Sequence, residues 1–367
     1  MIRKILHVAL LTALVLGGVG FIGLPARAIE LIFPLDCSLD SECWIVRYPD
    51  RSPRNGVAKD YTCGDLAADG SAGTLISMAS REPVLHENAR VPVRAAASGV
   101  VSMAFDGLGR GNPACGAGVV IDHADGWSTR YCHMAPRSIR VQPAQKVSAG
   151  TLLGYVGATG AASWPQLDFA VFRNGLFFDP FTGHSSLEGC GLEGTMLWKQ
   201  DLKQYYKPLG IMMAGFAQDP PAPAYVSAGE MGLEEASTML PALTFWARLV
   251  TAESDDEIYL KITGPNGDLV VDEEIVMPID QERPLVYVRK ERGLSPWKPG
   301  TYRGFVRVTR YEKGVRYNET RVSRIDLKDS PASYVQRRHS NLFGRADQMG
   351  PEEKRRRMKE QEQGTKK

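Results

Sequence analysis

Tyr131-Cys132-His133-Met134 and Pro165-Gln166-Leu167-Asp168-Phe169-Ala170-Val171 lie within the run from Cys115 to Phe172, and the reading of that run decides the fold. The run is β-rich. Gly118 to His123 and Trp127 to Tyr131 are β-branched or aromatic segments joined through Ala124-Asp125-Gly126. A glycine-bearing turn of that length between two such segments predicts a hairpin. Folding about the turn brings Cys115 and Cys132 opposite each other, which makes them the leading disulfide candidates. Val141 to Gly150, Leu152 to Gly157 and Leu167 to Phe172 follow as short strands punctuated by glycine. The expected fold class is therefore mostly β.

This arrangement resembles the catalytic β-core of the LytM-type zinc peptidases, family M23, which cut the peptide cross-bridges of bacterial cell walls. The resemblance covers residues 35–185 and rests on several ordered motifs. It implies a β-sheet core of the barrel-sandwich hybrid type. An active member carries a His-x-x-x-Asp near the start of the core, a His ending a strand, and a His-x-His before the last strand. Here Asp69-Gly70-Ser71-Ala72-Gly73-Thr74-Leu75 keeps the frame of the first motif, with Ser71 at the metal-binding His and Leu75 at the Asp. Gln166 and Asp168 stand at the two histidines of the last motif. Only His133 is kept, at the position that assists the reaction in the family and does not hold the metal.

A catalytic zinc takes about three protein ligands and leaves a position open for the water it activates. Leucine offers no lone pair, and a neutral serine hydroxyl is a poor zinc ligand. Asp168 alone could still coordinate, and a lone His133 cannot replace the Lewis acid. The expectation is a degenerate member, a pseudoenzyme without cofactor. His133 is then either a retained groove residue or a leftover strand-end histidine. The alternative is an active zinc endopeptidase with a rearranged ligand set of Asp168, His133 and a third donor, His86 or Asp69. A third reading is a carrier-type domain, because biotinyl and lipoyl carriers share the hybrid β motif and Lys146 sits in such a stretch.

Residues 1–28 combine Met1-Ile2-Arg3-Lys4, an apolar run from Ile5 to Leu24, and Ala26-Arg27-Ala28, the pattern of a signal peptide cleaved after Ala28. The apolar run is also long enough to act as an uncleaved anchor. Six cysteines, Cys37, Cys43, Cys63, Cys115, Cys132 and Cys190, fit an exported, oxidised protein. They allow fifteen connectivities, between which sequence does not choose. No Cys-x-x-Cys pair is present, so neither a zinc ribbon nor a thioredoxin-like site is indicated. A net charge of +2 from 44 basic and 42 acidic residues argues against nucleic acid as a partner.

The domain reading places the core at 29–190 and a connecting segment with a proline-rich linker at 191–224. Trp198 to Tyr206 reads as a short helix, and Gln218 to Ala224 as the boundary. Alternating strands over 225–328, separated by turns such as Gly264-Pro265-Asn266-Gly267, predict an immunoglobulin-like β-sandwich. The charged tail 329–367, with Lys354 to Arg357, is expected to be disordered and to touch membrane or wall weakly. Trp164 reads as a stacking platform or as core, Arg110 and His339 as solvated, His123 as a turn residue, and His184 as the end of the domain. Together these readings predict an exported protein of the periplasm or cell envelope. Its partner is a peptidoglycan stem peptide or a cell-wall hydrolase.

Overall fold

The computed structural model describes residues 28–81, 90–106, 113–223, 226, 232–312 and 314–329. The signal segment as far as Arg27, His86, Arg110, His339 and the tail from 330 onward lie outside the described residues. The first body is built on β1 (Cys43–Arg47), β2 (Gly73–Met78), β3 (Pro92–Arg94), β4 (Gly99–Asp106) and β5 (Ala117–Asp122). It continues with β6 (Trp127–Met134), β7 (Lys146–Val147), β8 (Leu152–Tyr155), β9 (Gln166–Arg173) and β10 (Leu176–Phe178). One sheet runs β1-β2-β9-β6-β5-β4-β7, with β10 paired to β9, while β3 and β8 pair separately.

The strand β9 shows how the sequence makes this sheet. Leu167, Phe169 and Val171 are fully buried in the core, and Gln166 and Asp168 alternate with them onto the other face. The hairpin of β5 and β6 closes with Asp122 opposite Ser128. Its connection is a single 3-10 turn, Ala124–Gly126, where Asp125 (φ 56°) and Gly126 (φ 75°) adopt the left-handed backbone that these residue types tolerate. Cys115 is bonded to Cys132, Cys63 to Cys190 and Cys37 to Cys43, so all six cysteines are bridged. The segment before β2 is pinned by Asp60. Its carboxylate accepts from the N–H groups of Thr62, Gly64 and Leu66 and from the Tyr206 hydroxyl, at 2.8–3.2 Å.

The second body comprises β11 (Ile211–Ala217), β12 (Glu235–Ser237), β13 (Ala242–Leu249), β14 (Thr251–Ala252) and β15 (Glu257–Thr263). After them come β16 (Leu269–Val276), β17 (Gln281–Glu282), β18 (Leu285–Glu291), β19 (Gly300–Glu312) and β20 (Val315–Lys328). They form two sheets, β11-β13-β18 and β12-β20-β19-β15-β16, and a small ribbon, β14-β17. Ile258, Leu260 and Ile262 of one sheet and Leu243, Phe245 and Ala247 of the other are all 0% exposed and share one core, which makes this body a β-sandwich. Gly304 in β19 faces Phe245 of the other sheet. The Phe245 ring occupies the space a Cβ would need.

Two boundaries differ from the sequence reading. The sandwich begins before the proline-rich stretch, because β11 pairs antiparallel with β13, Phe216 opposite Phe245. The stretch from Gln218 to Pro223 therefore lies inside the second body, between β11 of one sheet and β12 of the other, and a connection outside the ladders is a place where prolines are well tolerated. The segment read as a helix from Trp198 to Tyr206 holds only the single turn Lys203–Tyr205, with Trp198 buried in the first core. Trp44 from β1 packs with Met212, Met213, Trp246 and Val250 in a third cluster that joins the two bodies. Among the described residues no helix is long and apolar enough to cross a membrane.

Candidate functional site

The register of four strands lays out a groove floor on the sheet face opposite the core. Arg47, Leu75, Asp168 and Cys132 stand side by side across β1, β2, β9 and β6. Ser77 lies opposite Gln166 in one neighbouring row. In the other, Gly73, Ala170 and Arg130 are aligned. The side chains sequence reasoning singled out at Leu75, Gln166 and Asp168 thus share one surface. Ser71 sits in the turn before β2, where its Oγ accepts from the Gly73 N–H at 3.4 Å.

Asp168 leans over Gly73, whose missing side chain makes room for the carboxylate. Arg130 Nη2 is 3.9 Å from Asp168 Oδ1, beyond hydrogen-bond range, and that oxygen has no hydrogen-bond partner. Burial holds the Asp168 carboxyl above its ordinary value, while the charges of Arg130, His133 and Arg47 pull the other way. The Arg130 guanidinium rests 5.2 Å from the centre of the Phe172 ring.

His133 lies at a bulge of the β5-β6 pair with φ 67°, and its N–H donates to the Cys115 carbonyl at 2.8 Å. Its Nδ1 lies 2.9 Å from the Thr159 carbonyl, which can only accept, so Nδ1 carries the proton and Nε2 is the ring atom left over. His123 is held between the Ser98 carbonyl and Thr129 Oγ1, both at 2.8 Å. His184 is clasped by Glu188 and the Glu193 carbonyl. Neither faces the groove floor's central row. Lys146 lies within β7, paired with Val100, and not at a hairpin tip.

One end of the groove is roofed by the second body, which sequence reasoning did not anticipate. Arg47 Nη2 meets Glu282 Oε1 of the ribbon at 2.7 Å. Trp164 donates from Nε1 to the Met78 carbonyl at 2.8 Å and is 5% exposed. The guanidiniums of Arg248 and Arg283 lie 5.3 and 5.4 Å from its ring centre. The ring is therefore occupied from within the chain. Between floor and ribbon remains a cavity of about 440 Å³, lined among others by Arg47, Leu75, Gln166, Glu253, Asp280 and Arg283. No local pattern marks Arg248 or Arg283 as site residues, because their role exists only once the two bodies meet.

Residues 84–180 match Peptidase family M23. The chain carries a peptidase family M23 domain. It is 40% identical over 80 residues to the cell division protein DipM of Caulobacter vibrioides, covering 22% of this chain and 12% of that protein. It is 36% identical over 89 residues to the DD-carboxypeptidase/endopeptidase Mpg of Neisseria meningitidis, covering 24% and 19%. The chain thus spans less than a fifth of the length of either relative. Among solved structures, the catalytic domain of lysostaphin from Staphylococcus simulans aligns at 22% identity, 38% of this chain and 89% of that one, with a TM-score of 0.26.

Leu75 stands beside Asp168 with nothing to donate, and among the described residues no three His, Cys, Asp or Glu side chains gather as metal ligands. Asp69 is exposed on the turn before Ser71.

Proposed function

We propose that this is an exported, catalytically silent M23-type protein that binds a peptidoglycan stem peptide or regulates a cell-wall hydrolase. The observation that carries the reading is the central row of the groove floor, where Leu75 neighbours Asp168 and Gln166 lies one row along. Such a floor keeps the shape of a peptide groove. Among the described residues it gathers no ligand set that would make water nucleophilic at neutral pH. A similar protein, 37% identical over 84 residues, is named for peptidoglycan, the DD-endopeptidase ShyA of Vibrio cholerae, and supports this reading. Three bridged cysteine pairs support an oxidising compartment such as the periplasm or cell envelope.

The test is to incubate the purified chain with wall sacculi, with and without added zinc. Sedimentation reports binding, chromatography of released muropeptides reports cleavage, and metal analysis reports zinc content. Binding without release, and zinc far below one per chain, is the expected result. Stoichiometric zinc together with muropeptide release that disappears in Asp168→Ala would overturn the reading in favour of a rearranged active site.

A further inference from the structure

The roofed cavity has chemistry of its own. Gln166 lines it at 8% exposure and presents a side-chain amide. Opposite it in the strand register, Ser77 is fully buried and its Oγ is unpaired. A buried hydroxyl without a partner is costly, and with the Gln166 amide beside it the site is poised for a ligand that supplies both a donor and an acceptor. An amide group does both.

The charges of the wall are almost internally settled. Glu282 faces Arg47 and Arg283, Asp65 is bound by Lys59, and Glu253 by Arg310. Asp280 is different. It accepts only the Ser254 N–H, at 2.9 Å, and has no cationic partner among the described residues. Val46, Leu75 and Val250 supply the apolar part of the lining. The β14-β17 ribbon stands against the β1 side of the floor, fastened by the Arg47 pair and by Trp164 between two guanidiniums. A chain running continuously along the floor would meet that ribbon.

From this we infer that the cavity is a closed-ended site for the free, amine-bearing end of a short peptide, with Gln166 on the peptide amide and Asp280 on the ammonium. The inference rests on the preceding reading that the groove takes wall peptide without cutting it. It adds that the ligand is an uncross-linked end, because a cross-link consumes the amine and continues the chain into the ribbon.

The experiment uses the full chain and three fluorescent probes: a lysine-containing wall stem pentapeptide with its ε-amine free, the same peptide acetylated on that amine, and a cross-linked dimer joined through it. Fluorescence anisotropy is read alongside sacculus sedimentation. The acetylated and cross-linked probes should bind about tenfold more weakly than the free amine, the loss of one charge-assisted contact. Asp280→Asn, at an exposed position, should abolish the preference with little change in Tm. Equal binding of all three probes to a chain that still sediments with sacculi would overturn this inference and leave the proposed function standing. A preference that survives in Asp280→Asn would overturn the assignment of the ammonium to this cavity. If neither sacculi nor any probe binds, the proposed function fails and this inference with it.

Discussion

Gly73 and Asp179 show how much of this molecule turns on single side chains. The space over Gly73 is filled by the Asp168 carboxylate, so Gly73→Ala forces that charge off its seat and is expected to cost about 1–3 kcal/mol. Urea midpoints should show it. In the double variant with Asp168→Ala the two losses should sum to less than their separate values, because they act through one contact. Asp179 is fully buried 4.0 Å from Arg51, and burial pushes its carboxyl up to about 6, against the pull of the Phe181 N–H and Arg51. A folded pKa above the unfolded one contributes stability that is full below about pH 4 and lost as pH rises through about 6. Replacing it with the neutral isostere in Asp179→Asn should therefore remove a decline of about 3 kcal/mol between those limits. Parallel pH profiles for wild type and variant would contradict the assignment. Nothing in the sequence around Asp179 announces either effect, since both depend on what the fold brings against it.

Strand patterning explains why the first body was legible and where legibility stopped. The alternation in Gln166 to Arg173 and the Ala124 to Gly126 turn are local signals, and both appear in the sheet as β9 and the β5-β6 connection. Ser71, Leu75, Gln166 and Asp168 could be placed because motif spacing is also local. Arg47 and Arg130 were not, although Arg130 alternates with Tyr131 on β6 and so had to share the face of Cys132. The apolar run from Ile211 to Ala217 carries no strand alternation of its own beside its prolines, and only pairing with β13 reveals it as a sandwich strand. At this scale the bridges add to stability by closing loops. Cys115 and Cys132 close 17 residues, which in the loop-entropy model is worth about 3 kcal/mol, and Cys63 and Cys190 close 127, worth somewhat more. Reduction under native conditions should lower Tm well beyond the change seen for Cys37→Ala/Cys43→Ala, whose loop spans only 6 residues. An equal drop for both would show that loop length is not what matters here.

Across the whole molecule the two bodies share apolar surface as well as ion pairs. Trp44, Met212, Met213, Trp246 and Val250 exclude water between them, and Lys207 joins Asp40 of the first body (2.8 Å) to Glu319 of the second (3.8 Å). Exposed ion pairs of this kind are worth little alone, so the apolar cluster and the Trp164 clamp carry the coupling. Calorimetry on the intact chain should accordingly show one cooperative transition and not two. Trp164→Ala deletes the ring on which Arg248 and Arg283 rest and leaves the Met78 carbonyl without its donor, a loss of about 3–5 kcal/mol for a buried tryptophan. That loss falls at the junction and in neither core. The variant should split the transition in two while circular dichroism keeps the signature of intact sheets, and a protease should then reach Gly210 or its neighbours. Two transitions already present in the wild type would mean that the ribbon does not hold the groove closed in solution, and that the cavity behind it is open at both ends.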